Sequence, residues 1–209
     1  MIKNNQQILK DGELALKNKW GRSILITLSF FLILIFIIFL KKNGSIVRNS
    51  ISEILQWIII GPLTLGFTKY FLEISREENP IYETMYSGFL DFKRAFTTMF
   101  LTNLYIILRL ILLIIPGIIA ALDYSLVYYI LIENHEISSN EAIIKSKNMM
   151  YGHRLQFFYL NLRFLGLAIL CIFTLFIGFL WLLPYIYVCN SKFYEEVKKH
   201  YEAEKLLIN

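Results

Sequence analysis

Charged residues, cysteine, proline and histidine are all scarce in this sequence. Of its 209 residues only 18% are Asp, Glu, Lys or Arg, where a soluble domain has about 25%. The sequence holds two cysteines, four prolines and three histidines, and 56% of its residues are hydrophobic. Such a composition argues against an ordinary soluble globular domain.

Motifs for catalysis or metal binding are also missing. His135, His153 and His200 have no metal-ligand spacing, and no HExxH motif or Cys-His cluster occurs. There is no Gly-rich phosphate loop and no Gly-x-Ser-x-Gly motif. Cys171 and Cys189 lie in apolar segments and are expected to be small core residues rather than a disulfide. The sequence therefore predicts a protein that is not an enzyme and has no metal and no cofactor.

What the sequence does have is apolar residues in blocks of roughly 18 to 20, the length that an α-helix needs to cross a bilayer. In the first block, 23–40, 15 of 18 residues are Leu, Ile or Phe. We predict an all-α polytopic membrane protein with about six transmembrane helices and interfacial amphipathic helices, located in the cell membrane. The predicted crossings are 23–40, 51–71, 98–115, 118–132 and two within 155–190.

The fourth of these segments, 118–132, is short. At about 1.5 Å per residue its length is roughly 22 Å, less than the hydrocarbon thickness. The sequence leaves open whether this segment crosses fully or is re-entrant.

We interpret residues 1–209 as one integral membrane domain. It consists of an N-terminal tail (1–22), a transmembrane bundle (23–190) and a charged C-terminal helix (191–209). The tail fits two descriptions equally, an amphipathic helix in the headgroup region or a solvated extension. Mixed charges and aromatic residues in 72–97 predict short helices on the membrane surface. Acidic residues outnumber basic ones there, so no nucleic-acid partner is expected.

A capping box at Ser138-Ser139-Asn140-Glu141 predicts the start of an interfacial helix that ends at Gly152. Its helical spacing gives an apolar face and a polar face. The apolar face holds Ala142, Ile143, Ser146, Met149 and Met150, and the polar face holds Glu141, Lys145 and Asn148. Other breaks in helix regularity are expected at Pro62, Pro116-Gly117 and Pro184.

The distribution of basic residues predicts the orientation. With six crossings and a cytoplasmic N-terminus, 16 Lys and Arg residues lie inside and three, Lys41, Lys42 and Arg48, lie outside. The positive-inside rule then predicts that both termini are cytoplasmic.

Three stretches carry a resemblance to a known family: IIPGIIAALDYSLVYYIL, EAIIKSKNMMYGHRLQFF and GFLWLLPYIYVCNSKFYEE. They resemble a bacterial, mostly Gram-positive family of integral membrane proteins called domain of unknown function 975. The segments LK…ALKNKW, GPLTLGF and SGFLDF extend the similarity over nearly the whole chain. The resemblance also implies a distant kinship with the membrane domain of glycerophosphodiester phosphodiesterases. It implies an architecture and no activity.

Charged residues inside predicted crossings are the candidates for a functional site, because charge is costly at that depth. Arg109 and Asp123 stand seven residues before and after Pro116. If the chain reverses at Pro116-Gly117, both lie at one depth, and we expect an ion pair between them. A fold-fixing pair is the first interpretation, and a polar groove that also includes Asn103, Asn161 and Arg163 is the second.

Two functions follow from these observations. The first is a non-enzymatic accessory, assembly or protective factor of the bacterial cell envelope. The alternative is a small transporter or lipid-handling protein with a polar groove around Arg109 and Asp123. The lipid bilayer is the expected partner in both cases, together with other membrane proteins or lipids.

Overall fold

The computed structural model describes residues 2–42 and 46–208, with side chains described for 2–39 and 56–206. Within these residues every regular element is a helix and none is a strand, which confirms the predicted all-α class. A short 3-10 helix, Tyr82–Phe89, lies between the third and fourth α-helices. The α-helices are α1 (Asn5–Leu16), α2 (Trp20–Lys42), α3 (Ile46–Ser75), α4 (Phe92–Leu112), α5 (Ile114–Asp123), α6 (Val127–Glu133), α7 (Ser139–Met150), α8 (Arg154–Phe173) and α9 (Phe179–Ile208).

Five stretches of the described chain are long and apolar enough to cross a membrane, which indicates a membrane protein. They correspond to the first five predicted crossings: Trp20–Phe39, Gln56–Ser75, Phe92–Leu112, Ile114–Glu133 and Arg154–Phe173. The sixth predicted crossing falls in the first part of α9, which is not among these five stretches and continues without interruption into the charged C-terminal helix. Of the predicted link at 41–50, residues 43–45 and all the side chains lie outside the described part.

The segment predicted as the short fourth crossing is two helices. Helix α5 ends at Asp123, a turn follows, and α6 begins at Val127. The chain reverses direction before α5, at Leu113, whose backbone is extended (φ −162°, ψ 143°). Pro116 and Gly117 therefore lie in the first turn of α5, where a proline costs no helical hydrogen bond. The expected reversal at Pro116-Gly117 was wrong by three residues.

Side-chain capping interactions stabilise the starts of two amphipathic helices, α1 and α7. In α7 the Ser138 hydroxyl accepts a hydrogen bond from the Glu141 backbone N–H, and the Glu141 carboxylate accepts one from the Ser138 N–H. All five residues of the predicted apolar face are buried, and Gly152 follows the helix with a φ of +80°. The predicted cap, apolar face and end of this helix are confirmed. Asn4 and Gln7 form the same reciprocal cap at the start of α1.

Helix α1 settles the alternatives for the N-terminal tail. Ile8 and Leu16 are fully buried in the protein interior, so this segment is an amphipathic helix and not a solvated extension. Gly12 lies so close to α9 that a Cβ atom there would stand 2.5 Å from the Cys189 Sγ atom. The apolar face of α1 thus packs against protein, which the sequence did not predict.

The 3-10 helix packs tightly on α3 through two glycines. A Cβ atom on Gly66 would overlap the Met85 carbonyl, and one on Gly88 would overlap the Pro62 carbonyl. Helix α3 continues through Pro62, just as α9 continues through Pro184, so neither proline ends its helix. The polar stretch after α3 is therefore fixed against the helix bundle by backbone contact.

Two hydrophobic clusters form the core, and α3 and α9 contribute to both. One cluster consists mainly of residues from the five consecutive helices α5 through α9, and Ile8 of α1 and Leu72 of α3 pack with them. The other joins α1, α2, α3 and α9 and includes the Phe30 and Phe67 rings, whose centroids are 4.5 Å apart. Large apolar side chains remain exposed where α4 meets α5 and where α8 meets α9; Ile111 is 77% exposed and Leu175 82% exposed. Surfaces of this kind suit contact with lipid.

Candidate functional site

The predicted charged residues Arg109 and Asp123 lie on the neighbouring helices α4 and α5. These helices approach closely at Gly117, where a Cβ atom would overlap the Leu110 side chain. The absence of a side chain at Gly117 is thus what permits the contact. Asp123 is the last residue of α5 and is 1% exposed, so its carboxylate must find a partner inside the protein.

That partner is Arg154, the first residue of α8. The Arg154 Nε atom donates to the Asp123 Oδ1 atom over 2.5 Å. The backbone carbonyl of Asp123 accepts a further hydrogen bond from the Ser146 hydroxyl at 2.6 Å. Asp123 therefore joins α5 to both α7 and α8.

The expected ion pair between Arg109 and Asp123 is thus wrong, because the basic partner of Asp123 is Arg154. The Arg109 guanidinium instead lies over the Tyr124 ring, with Cζ 5.5 Å from the ring centroid, within range of a cation–π interaction. Arg109 and Asp123 are near each other along the hairpin, but an aromatic ring and not a carboxylate stabilises the guanidinium.

The other residues of the predicted groove are dispersed. The Asn103 amide donates to the Met99 carbonyl and the Asn161 amide to the Phe157 carbonyl, each one turn earlier in its own helix. Asn103 also lines an apolar cavity of about 470 Å³ between α3 and α4, beside Trp57. Arg163 is exposed on α8. No contact in the described structure joins these three side chains to one another.

A cluster that the sequence did not predict is centred on Glu133, at the end of α6. Its carboxylate pairs with Arg76, which directly follows α3, accepts a hydrogen bond from the Tyr194 hydroxyl at 2.6 Å, and pairs with Lys198 of α9 at 2.8 Å. Arg76 also donates to Glu195 at 2.7 Å. The sequence contains one indication of this cluster. Glu133 directly follows an apolar run and has no Lys or Arg nearby in the sequence to pair with.

Arg94, near the start of α4, binds the chain that follows α6. Its guanidinium donates to the carbonyls of Asn134, at 2.6 Å, and Ile137, at 3.2 Å, and it pairs with Asp91. The contact with Asn134, the C-cap residue of α6, satisfies a carbonyl group at the end of a helix, and the contact with Ile137 satisfies one in the loop before α7. Arg94 thus positions the loop that leads into α7.

The two chain ends meet at a further ionic contact. The Lys3 ammonium group lies 2.9 Å from the Asp11 carboxylate and 3.2 Å from that of Glu196. Hydrogen bonds to these carboxylates raise the pKa of Lys3. A polar cavity of about 250 Å³ lies beside this contact, between α1, α3 and α9.

Two of the histidines also come together, although their sequence spacing gave no sign of it. The rings of His153 and His200 meet edge to face with centroids 5.2 Å apart. Burial, and then the neighbouring charge of His200, lower the pKa of His153. Within the described residues, no group of three or more His, Cys, Asp or Glu side chains is placed to hold a metal ion, and both cysteines are free.

Comparisons with known proteins find a family similarity for part of the chain. No curated protein and no solved structure matches it. None of the comparisons supports the implied kinship with glycerophosphodiester phosphodiesterases. The family similarity covers about half of the chain, not nearly all of it, and includes Asp123, Glu133 and Arg154. Residues 98–201 match the family described as "Protein of unknown function (DUF975)", which supports that family for this part of the chain.

Proposed function

We propose that this chain is, over its whole length, a DUF975-type integral membrane protein that acts without catalysis, as an accessory, assembly or protective factor of the bacterial cell envelope. The observation that carries this proposal is that its partly buried charged groups bind one another across helices. Groups paired in this way stabilise a helix arrangement.

The pairs connect helices that are distant in sequence. Asp123 and Arg154 join α5 to α8. Glu133 joins α6 to α9 and to Arg76, the residue that directly follows α3. Lys3 joins the N-terminal segment to α9. Each of these side chains already has a role in holding the bundle together, which supports a protein that acts through its surface.

We also propose that both termini are cytoplasmic. The excess of basic residues in the connecting segments assigned to the inside supports this orientation. The contact between Lys3 and Glu196 supports it further, because it requires the two ends of the chain to lie on the same side of the bilayer. Single cysteines at positions 5, 44 and 140, in a Cys171→Ser/Cys189→Ala background, test the orientation with a membrane-impermeant maleimide. Labelling of intact cells at position 44 alone is expected, and labelling at position 5 or 140 contradicts the orientation.

A complementation experiment tests the functional proposal. Asp123→Asn together with Arg154→Gln removes both charges, keeps the shape of the side chain at position 123 and leaves a shorter polar side chain at position 154. If the pair only holds the fold, a host lacking the gene and carrying this double variant is expected to match the wild type in every measurable phenotype, provided that the protein level is equal. Arg109→Gln, which removes the other charge of the predicted groove, is tested in the same host and is expected to complement as well.

The alternative of a small transporter or lipid-handling protein with a polar groove predicts the opposite outcome. In that case the double variant, or Arg109→Gln, accumulates as folded protein at the wild-type level but fails to complement. Such a separation of folding from function contradicts the accessory-factor proposal.

A further inference from the structure

A groove of about 400 Å³ lies between α1, the start of α2, and the pair α8 and α9. One acidic and three aromatic side chains line it, together with apolar residues of α8. These residues are Glu13, Trp20, Trp181 and Tyr185, with Leu167 and Leu170 on the α8 side. The groove is separate from the ion pairs described above.

The aromatic wall of the groove is held in place by the surrounding helices. The Tyr185 hydroxyl donates to the Leu9 carbonyl at 3.3 Å, and its ring packs edge-on against Phe164, with centroids 5.7 Å apart. At one end the chain turns tightly from α8 into α9, where the Gly178 N–H donates to the Thr174 hydroxyl at 3.0 Å. A Cβ atom on Gly178 would lie 2.7 Å from the Cys171 Sγ atom. The end wall is thus closely packed, and the groove has a defined shape.

The charge in the groove is negative. Glu13 supplies it, and in the described structure the Glu13 carboxylate forms no ion pair and no hydrogen bond with another side chain. Carboxylates and the faces of Trp and Tyr rings are the groups that bind ammonium ions, quaternary ones included. The groove therefore combines two features that select a cation.

The sides of the groove open onto surface that suits hydrocarbon. Leu170 is 61% exposed and Trp181 is 49% exposed, and α8 is long and apolar enough to cross a membrane. Arg163 lies one helical turn before Leu167, which lines the groove, and directly before Phe164, whose ring packs against Tyr185. An anionic phosphate beside the ammonium group would meet this guanidinium.

We propose that the groove binds one phospholipid whose headgroup carries an ammonium group. Glu13, Trp20 and Trp181 hold the ammonium, Arg163 lies near the phosphate, and an acyl chain lies along Leu167 and Leu170. A lipid fits better than a soluble amine because only the lipid fills the apolar length of the groove and matches both charges. This inference does not depend on the proposed accessory function.

The tryptophans provide a direct test. The sequence has three, and Trp57→Phe leaves only Trp20 and Trp181, both of which line the groove. The full-length variant is placed in nanodiscs of phosphatidylglycerol, and phosphatidylethanolamine with dibrominated acyl chains is titrated in. Bromine quenches indole fluorescence on contact. Dibrominated phosphatidylglycerol, which has the same chains and no amine, gives the reference titration.

We expect half-maximal quenching at a roughly fivefold lower mole fraction of the ethanolamine lipid than of the glycerol lipid, as for one carboxylate-assisted cation–π contact. Glu13→Gln should bring this ratio close to one. Glu202→Gln, which removes an exposed carboxylate near the far end of α9, should leave the ratio unchanged. Circular dichroism and elution volume confirm that each variant is folded.

Two results overturn the proposal. Equal quenching by the two lipids means that the groove holds ordinary annular lipid without headgroup selection. A preference for the ethanolamine lipid that survives in folded Glu13→Gln means that the carboxylate does not bind the ammonium group.

Discussion

The ion pair between Asp123 and Arg154 allows a quantitative prediction, because its two members differ in burial. The Asp123 side chain is 2% exposed and the Arg154 side chain 29% exposed. Arg154→Gln leaves a carboxylate in the interior without a cation. Breaking a buried pair in this way costs about 3–5 kcal/mol, and the partial exposure of Arg154 favours the lower end of that range.

The reverse change should cost less. Asp123→Asn keeps the side-chain shape and an oxygen that can still accept from Arg154, while the freed guanidinium can extend toward water or headgroups. The expected loss is about 1.5 kcal/mol, that of one charge-assisted hydrogen bond. The double variant leaves no uncompensated charge and should lose about 2 kcal/mol, less than the two single losses combined.

Reversible unfolding in mixed micelles of dodecyl maltoside and SDS, followed by tryptophan fluorescence, measures these free energies. Arg109→Gln is the control, since it removes a cation–π contact worth at most about 1 kcal/mol and should be additive with Asp123→Asn. Equal losses for Arg154→Gln and Asp123→Asn would refute the argument from burial. Coupling of Asp123 to Arg109, with none to Arg154, would refute the assigned partner.

Three further results are expected. Gly66→Ala should destabilise the fold by about 2–4 kcal/mol, because its Cβ would overlap a backbone carbonyl of the 3-10 helix; Gly166→Ala, in open space, should be neutral, and equal effects in the same micelle titration would contradict the packing. Glu133→Gln should cost about 1–3 kcal/mol in that titration by leaving its Arg and Lys partners without their shared carboxylate, and an unchanged stability would contradict its central role. Because burial lowers the pKa of His153, the unfolded chain binds a proton more readily, so stability should fall as the pH drops below about 6.5. In His153→Gln the free energy of unfolding should depend less on pH between about pH 6.5 and 5. An unchanged pH dependence in this variant would assign the effect to another titrating group.

Helix α7 shows what the sequence could predict. Its capping box is a contact between residues three apart, and its apolar face follows from the helical period alone. Both are set within one segment, so no knowledge of the remaining chain was needed. Burial of Ala142, Ser146 and Met150 agrees with that prediction.

The partner of Asp123 could not be predicted in the same way. The choice between Arg109 and Arg154 depends on how α8 packs against α5, and the intervening chain contains two helices and three turns. The expected pair also assumed that the chain reverses at Pro116. Proline is tolerated in the first turn of a helix, so the reversal occurs at Leu113 and shifts the register of the two helices.

The C-terminal helix has a sequence pattern typical of packing, although most of its residues are polar or charged. Phe193, Val197 and Tyr201 recur at four-residue spacing among charged residues, which is typical of a helix with one packed face. Phe193 and Val197 are fully buried. Lys198, which directly follows Val197, pairs with Glu133. The acidic and basic residues of this segment include Glu195, which binds Arg76, and Lys198, which binds Glu133 of α6. A charged helix with an apolar stripe can therefore complete the core of a helix bundle and neutralise charges of neighbouring segments at the same time.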